Sequence, residues 1–186
     1  MKKIACLFVF LFLGTANATL IDTTATWSGN INTGWFGSGQ SFLVDAEDTF
    51  FDDIIFSFDS ASNGRTFNFI LSDLLNGGTT LFSTSFVVNN GFGFIDIDTN
   101  LFPNSTVYAM IDYNGYSGAS AYYQGNIYAG GNSNFGANGS KQEFSDLDHV
   151  FVANFRQAAQ VPAPATLALF ALGLAGIGFS RKMKQA

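Results

Sequence analysis

Between residues 19 and 160 the apolar positions recur with a period of two, and no stretch sustains a period near 3.6. Such alternation puts apolar side chains on one face of a half-buried strand. Along 50–58, Ile54, Phe56 and Phe58 share one face while Asp53, Ile55 and Ser57 share the other. Along 66–72, Phe67, Phe69 and Leu71 stand against Thr66, Asn68 and Ile70. Further strands are predicted over 40–44, 79–88, 93–98, 107–113, 120–128 and 150–155. The stretch 19–48 is less regular: Trp27 to Ile31 starts an edge strand, and Gly34 to Gly39 reads as a loop. Ser62-Asn63-Gly64, Asn76-Gly77-Gly78, Asn89-Asn90-Gly91, Pro103-Asn104 and Asn114-Gly115 supply turns between strands. The expectation is an all-β domain over 19–160, with about eight to ten strands in an antiparallel, jelly-roll-like β-sandwich.

The two ends follow a different pattern. Met1-Lys2-Lys3 precedes an apolar run from Ile4 to Leu13, and then Gly14-Thr15-Ala16-Asn17-Ala18. A basic start, a short apolar core and a small-residue site define a secretory signal peptide over 1–18, with signal peptidase cutting after Ala18 and reading Ala16 and Ala18. Roughly ten apolar residues are too few for an ordinary helical span, which needs about twenty. At the other end, Val161-Pro162-Ala163-Pro164 is followed by an apolar stretch, 167–179, and then by Ser180-Arg181-Lys182-Met183-Lys184. The prolines interrupt regular structure, and a helix begins after them. At 1.5 Å per residue, a helix of about 15 residues is near 22 Å long, short for a bilayer but usable with thinning and lysine snorkelling. The flanking basic cluster stays cytoplasmic. The competing placement, a terminal helix packed on the domain, needs a polar face that 167–179 lacks.

Taken in this order, the signal peptide, the Val161-Pro162-Ala163-Pro164 break, the short apolar helix and the Arg181-Lys182 cluster resemble the PEP-CTERM sorting signal of Gram-negative bacteria. That resemblance implies an inner-membrane intermediate over 161–186, cleavage by an exosortase near the prolines, and passage to the cell surface or an exopolysaccharide matrix. Ala163 stands where the family usually has glutamate, so the efficiency of processing is in question rather than targeting. Gly39-Gln40-Ser41-Phe42, the turn from Asp73 to Leu81 and Ile111-Asp112-Tyr113 also resemble galactose-binding-type and related jelly-roll domains of exported proteins.

Charge narrows the function classes. All fourteen carboxylates lie within 19–160, against only Arg65, Lys141 and Arg156. Such a surface repels phosphate backbones, so nucleic acid is not an expected partner. An apolar fraction of 47% and an aromatic fraction of 16% exclude intrinsic disorder. The single cysteine, Cys6, sits in the export segment, so the exported domain has no disulfide and no thiolate chemistry.

Four tyrosines, Tyr116, Tyr122, Tyr123 and Tyr128, stand in the Gly/Asn/Ser-rich stretch 113–139. A flat apolar ring with a hydrogen-bonding tip suits a sugar, and this stretch is the candidate glycan site; the alternative is a loop whose tyrosines cover a sheet edge. The lone imidazole, His149, has no Gly-x-Ser-x-Gly elbow beside it and is expected at the surface end of a strand. No pair of carboxylates is marked out for glycoside hydrolysis, so no catalytic residue and no enzymatic activity are expected. Asp96 and Asp98, with Asn100, copy the opening of a calcium loop, but Leu101 stands where glycine is required. They are the candidate metal ligands, with calcium as the only cofactor considered. The expectation is an exported structural protein of the surface or matrix, associated with exopolysaccharide or biofilm, or alternatively a carbohydrate-binding module acting through 113–139.

Overall fold

Among the described residues of the computed structural model, thirteen β-strands, all paired antiparallel, and two short 3-10 turns make up the regular structure. It describes residues 18–27, 30–31, 35–116, 121–137 and 140–157, which fall within one unit, Ala16–Ala158. Of the signal peptide expected over 1–18, residues 1–17 lie outside the described residues, as do the sorting segment expected over 161–186 and its apolar helix. Among the described residues there is no α-helix, and no helix is long and apolar enough to cross a membrane.

One sheet runs in the order β1 (Ala18–Asp22), β13 (Phe151–Arg156), β4 (Phe50–Ser57) and β7 (Phe92–Asn100). The second runs β11 (Ser140–Phe144), β10 (Ser133–Ala137), β3 (Gly37–Leu43), β8 (Thr106–Asp112), β5 (Thr66–Ser72) and β6 (Thr80–Val87). A small third sheet joins β12 (Leu147–His149), β9 (Tyr122–Gly125) and β2 (Asn30–Ile31).

The alternation read from the sequence decides which faces meet. Ile54 and Phe56 of β4 and Phe67, Phe69 and Leu71 of β5 are all fully buried. Phe42 of β3 reaches across to the first sheet, with ring centroids 5.6 Å from Phe51, 5.2 Å from Phe151 and 5.5 Å from Phe155. Phe51 and Phe155 are register partners on β4 and β13, and their rings stack at 4.2 Å. Each fully buried phenylalanine contributes about 1.5–3 kcal/mol through area alone, so this aromatic seam is the main cohesive element between the sheets.

The departures from expectation have local causes. The strand expected over 120–128 stops at Gly125 because the backbone N–H groups of Ile127 and Tyr128 leave the ladder and both donate to Asp148 Oδ2, each at 2.6 Å. The predicted loop through Gly37 is strand β3. A Cβ there would lie 2.6 Å from Ile111 O, so the missing side chain lets β8 pair closely. Strands β1, β10, β11 and β12 raise the number above the expected range, since their short segments carry little alternation and owe their form to the strands they pair with.

Candidate functional site

The outward side of the four-stranded sheet carries an unusual row. On β7, Gly93, Ile95 and Ile97 face inward, while Phe92, Phe94, Asp96 and Asp98 face outward. Phe92 and Phe94 remain 52% and 56% exposed. The hairpin before them is tight: Asn89 and Phe92 exchange two backbone hydrogen bonds at 2.9 Å, and Asn90 and Gly91 take positive φ values of 52° and 81°. This is the turn expected from Asn89-Asn90-Gly91. Gly93 adds a second condition, because a Cβ on it would lie 2.8 Å from the ring of Phe58. Its bare backbone leaves room on the inner face of the sheet for the packed rings of Phe58 and Phe86.

Across from this row stands Trp27. Asp22, at the end of β1, accepts hydrogen bonds from the Thr24 hydroxyl at 2.6 Å and the Thr24 amide at 2.8 Å. These bonds hold the Asp22 carboxyl below its usual pKa and fix a short 3-10 turn, Thr24–Thr26, that ends at Trp27. The indole stacks on Tyr122 of β9, with centroids 4.1 Å apart and planes inclined by 24°. Desolvation, with a smaller contribution from Asp59, raises the Tyr122 phenol pKa. Between the Trp27–Tyr122 pair and Phe92 and Phe94 lies a groove of about 1020 Å³, floored by Ile55, Phe58 and Val152. Its polar lining includes Thr24, Ser57, Ser60, Asn63 and Asn90, and among the described residues no ionisable group other than the Tyr122 phenol borders it.

The other expected site residues are dispersed. Tyr116 lies under the Arg65 guanidinium, 4.5 Å from ring centroid to Cζ. Tyr123 packs edge-on against Phe135. Tyr128 is set against Phe42 and Phe151, and desolvation, followed by Asp45, Asp148 and Asp48, pushes its pKa up to about 12. Only Tyr122 of the four reaches the groove. The grouping over 113–139 fails because β9 and the turn after it send successive tyrosines to different neighbours.

Asp96 and Asp98 stand exposed on β7, and Asp98 lies 3.6 Å from Arg156 Nη2. Arg156 is itself committed to Asp52 at 2.5 Å and to the ring of Phe50 at 3.8 Å. Among the described residues no three His, Cys, Asp or Glu side chains gather as a metal site would require.

His149, expected at the start of the strand over 150–155 as a surface or strand-end residue, is instead the last residue of β12 and is fully buried. Its ring lies between Phe56 and Phe135, Nδ1 pairs with Ser133 Oγ at 2.9 Å, and burial lowers its pKa to about 3. Ser133 is equally buried, so this Ser–His pair meets no substrate.

Trp27, Phe92 and Phe94 were not singled out from the sequence. The signal was present in β7, where phenylalanines occupy the face opposite Ile95 and Ile97, an arrangement that leaves large rings on the outer side of a sheet.

Residues 160–182 match the family of the PEP-CTERM protein-sorting motif. The chain carries a PEP-CTERM sorting signal. That PEP-CTERM motif implies processing by an exosortase and export, through a membrane-anchored intermediate, to the surface or the extracellular space. No curated protein sequence matches the chain. Two solved structures share the fold of this chain. One contains the cysteine protease and lectin-like domains of Cwp84, a surface layer associated protein of Clostridium difficile; it is 16% identical, with a TM-score of 0.50 over 76% of this chain and 36% of that one. The other is the clostridial cysteine protease Cwp84 after propeptide cleavage, 16% identical, with a TM-score of 0.53 over 76% of this chain and 40% of that one. The chain thus spans well under half the length of either structure.

Proposed function

We propose that the domain is a non-enzymatic polysaccharide-binding module, displayed at the cell surface or in the extracellular matrix after removal of both terminal segments. The groove carries this reading. Exposed aromatic rings flank it, and short neutral hydrogen-bonding side chains sit between them. A pyranose has the complementary make-up, with C–H faces for the rings and hydroxyls for the Ser, Thr and Asn groups. Among the described residues the lining holds no carboxylate or imidazole to act as a general acid or base, which favours binding over hydrolysis. The fold shared with a surface protein that has a lectin-like domain agrees with this reading at the level of fold.

In this proposal the facing sheets form a jelly-roll-like sandwich, the signal peptide leaves after Ala18, and the exosortase acts near Val161-Pro162-Ala163-Pro164. The sugar site moves from the tyrosine-rich stretch to the groove and retains Tyr122. Exopolysaccharide of the producing cell, and hence its biofilm, is the ligand in view.

The test is electrophoresis of the exported protein through gels cast with the host's exopolysaccharide. Wild type is expected to be retarded, and Trp27→Ala and Phe94→Ala to run closer to the unretarded position. Identical mobility of wild type with and without polysaccharide would remove the reading.

A further inference from the structure

We infer that the groove selects neutral glycan chains and rejects acidic ones; this inference rests on the polysaccharide reading above and names its ligand class. A site for uronate or for phosphate- or sulfate-bearing sugars needs a cation, or a cluster of inward N–H donors, to replace the water lost on binding. Among the described residues the groove offers neither Lys, Arg nor His along its lining. Two of the domain's three cations are engaged elsewhere: Arg156 is held by Asp52 and Phe50, and Arg65 lies over Tyr116. The third, Lys141, sits on β11, at the outer edge of the second sheet.

The nearest charge works in the same direction. Asp59 lies one residue beyond the groove floor at Phe58 and acts electrostatically on Tyr122. Asp96 and Asp98 continue the outward row of β7 directly beyond Phe94. An acidic glycan lying along Phe92 and Phe94 would therefore run toward the carboxylates of Asp96 and Asp98, where the neighbouring cation, Arg156, is already shared between Asp98 at 3.6 Å and Asp52. A neutral chain meets no such barrier. Phe92 and Phe94, two residues apart on one face, place their Cα atoms about 7 Å apart along one side of the groove.

The experiment separates the host exopolysaccharide into neutral and acidic fractions by anion exchange and measures retardation of the exported protein in each. The neutral fraction is expected to retard wild type, with the apparent affinity falling about tenfold in Trp27→Ala and in Phe94→Ala. The acidic fraction is expected to leave mobility unchanged. Thermal unfolding of both variants within a few degrees of wild type excludes misfolding as the cause. Retardation by the acidic fraction that both substitutions abolish would overturn the neutral selectivity while leaving the groove as a polysaccharide site. Retardation by neither fraction, or retardation that both variants retain, would overturn the polysaccharide reading and this inference together.

Discussion

The Gln40 side-chain amide donates to Asp148 Oδ1 at 2.8 Å, joining positions 108 residues apart, while Gln40 Oε1 accepts from the His149 amide at 3.0 Å. Gln40 and Asp148 are both buried, and Asp148 Oδ2 takes the Ile127 and Tyr128 amides. One carboxylate therefore ends β9, holds the turn after it and ties the third sheet to β3. Asp148→Ala leaves three N–H donors without their acceptor, and urea unfolding should show a loss of about 2–4 kcal/mol. A double-mutant cycle with Gln40→Leu should give a coupling of about 1 kcal/mol or more, because the two side chains share one network. Strict additivity would show that the contact does not contribute to stability.

Acid should weaken the fold through His149. In the unfolded chain the imidazole titrates near 6.5, while in the folded domain burial holds its pKa to about 3. Above pH 6.5 both states carry it neutral. As the pH falls from there toward 3, the unfolded state gains a proton that the folded state refuses, so stability falls with pH. Between pH 7 and 5 wild type should lose roughly 2 kcal/mol more than His149→Phe, which keeps a ring between Phe56 and Phe135 without a titrating group. Parallel acid titrations of the two proteins would argue against a neutral buried ring.

Stability and binding should separate among the phenylalanines. Phe94→Ala removes a ring that is 56% exposed and should change unfolding free energy by about 0.5 kcal/mol or less. Phe51→Ala removes a fully buried ring stacked on Phe155 and should destabilise by about 3–5 kcal/mol. Equal losses at the two positions would mean that Phe94 is a packing residue rather than a groove wall.

Processing can be read directly by mass. Ala18 pairs with Arg156 in the β1–β13 register, so the two chain ends of the domain leave one end of the first sheet. Val150 and Val152, which border the groove, lie toward the other end of that ladder. Mass spectrometry of protein from the host is expected to give a chain starting at Thr19 and ending close to Val161. A chain that still extends to Ala186 would indicate a membrane-anchored protein without exosortase cleavage.

The legible part of this protein was what short-range pattern controls. Alternation in 50–58 and 66–72 predicted strands β4 and β5 and the face each buries, since side chains on a strand change sides at every residue. Asn90, Gly91, Asn114 and Gly115 mark turns because positive φ favours those residue types. The groove was harder to read. Trp27 and Tyr122 lie far apart in the chain, and nothing local announces that their rings stack. His149 was misplaced for the same reason: polar neighbours Asp146 and Asp148 suggested solvent, whereas Asp148 is buried with it by partners from β3 and the turn after β9.

The order of residues alone determined the sorting signal, the antiparallel all-β character and the acidic balance of the domain. Each depends on runs of neighbouring residues or on simple sums over them. Tertiary structure decided which aromatic rings were left outside the core, which carboxylate became an internal tie, and where the three cations stand. Those outcomes depend on pairings across tens of residues, where register and sheet order set the neighbours that sequence proximity does not.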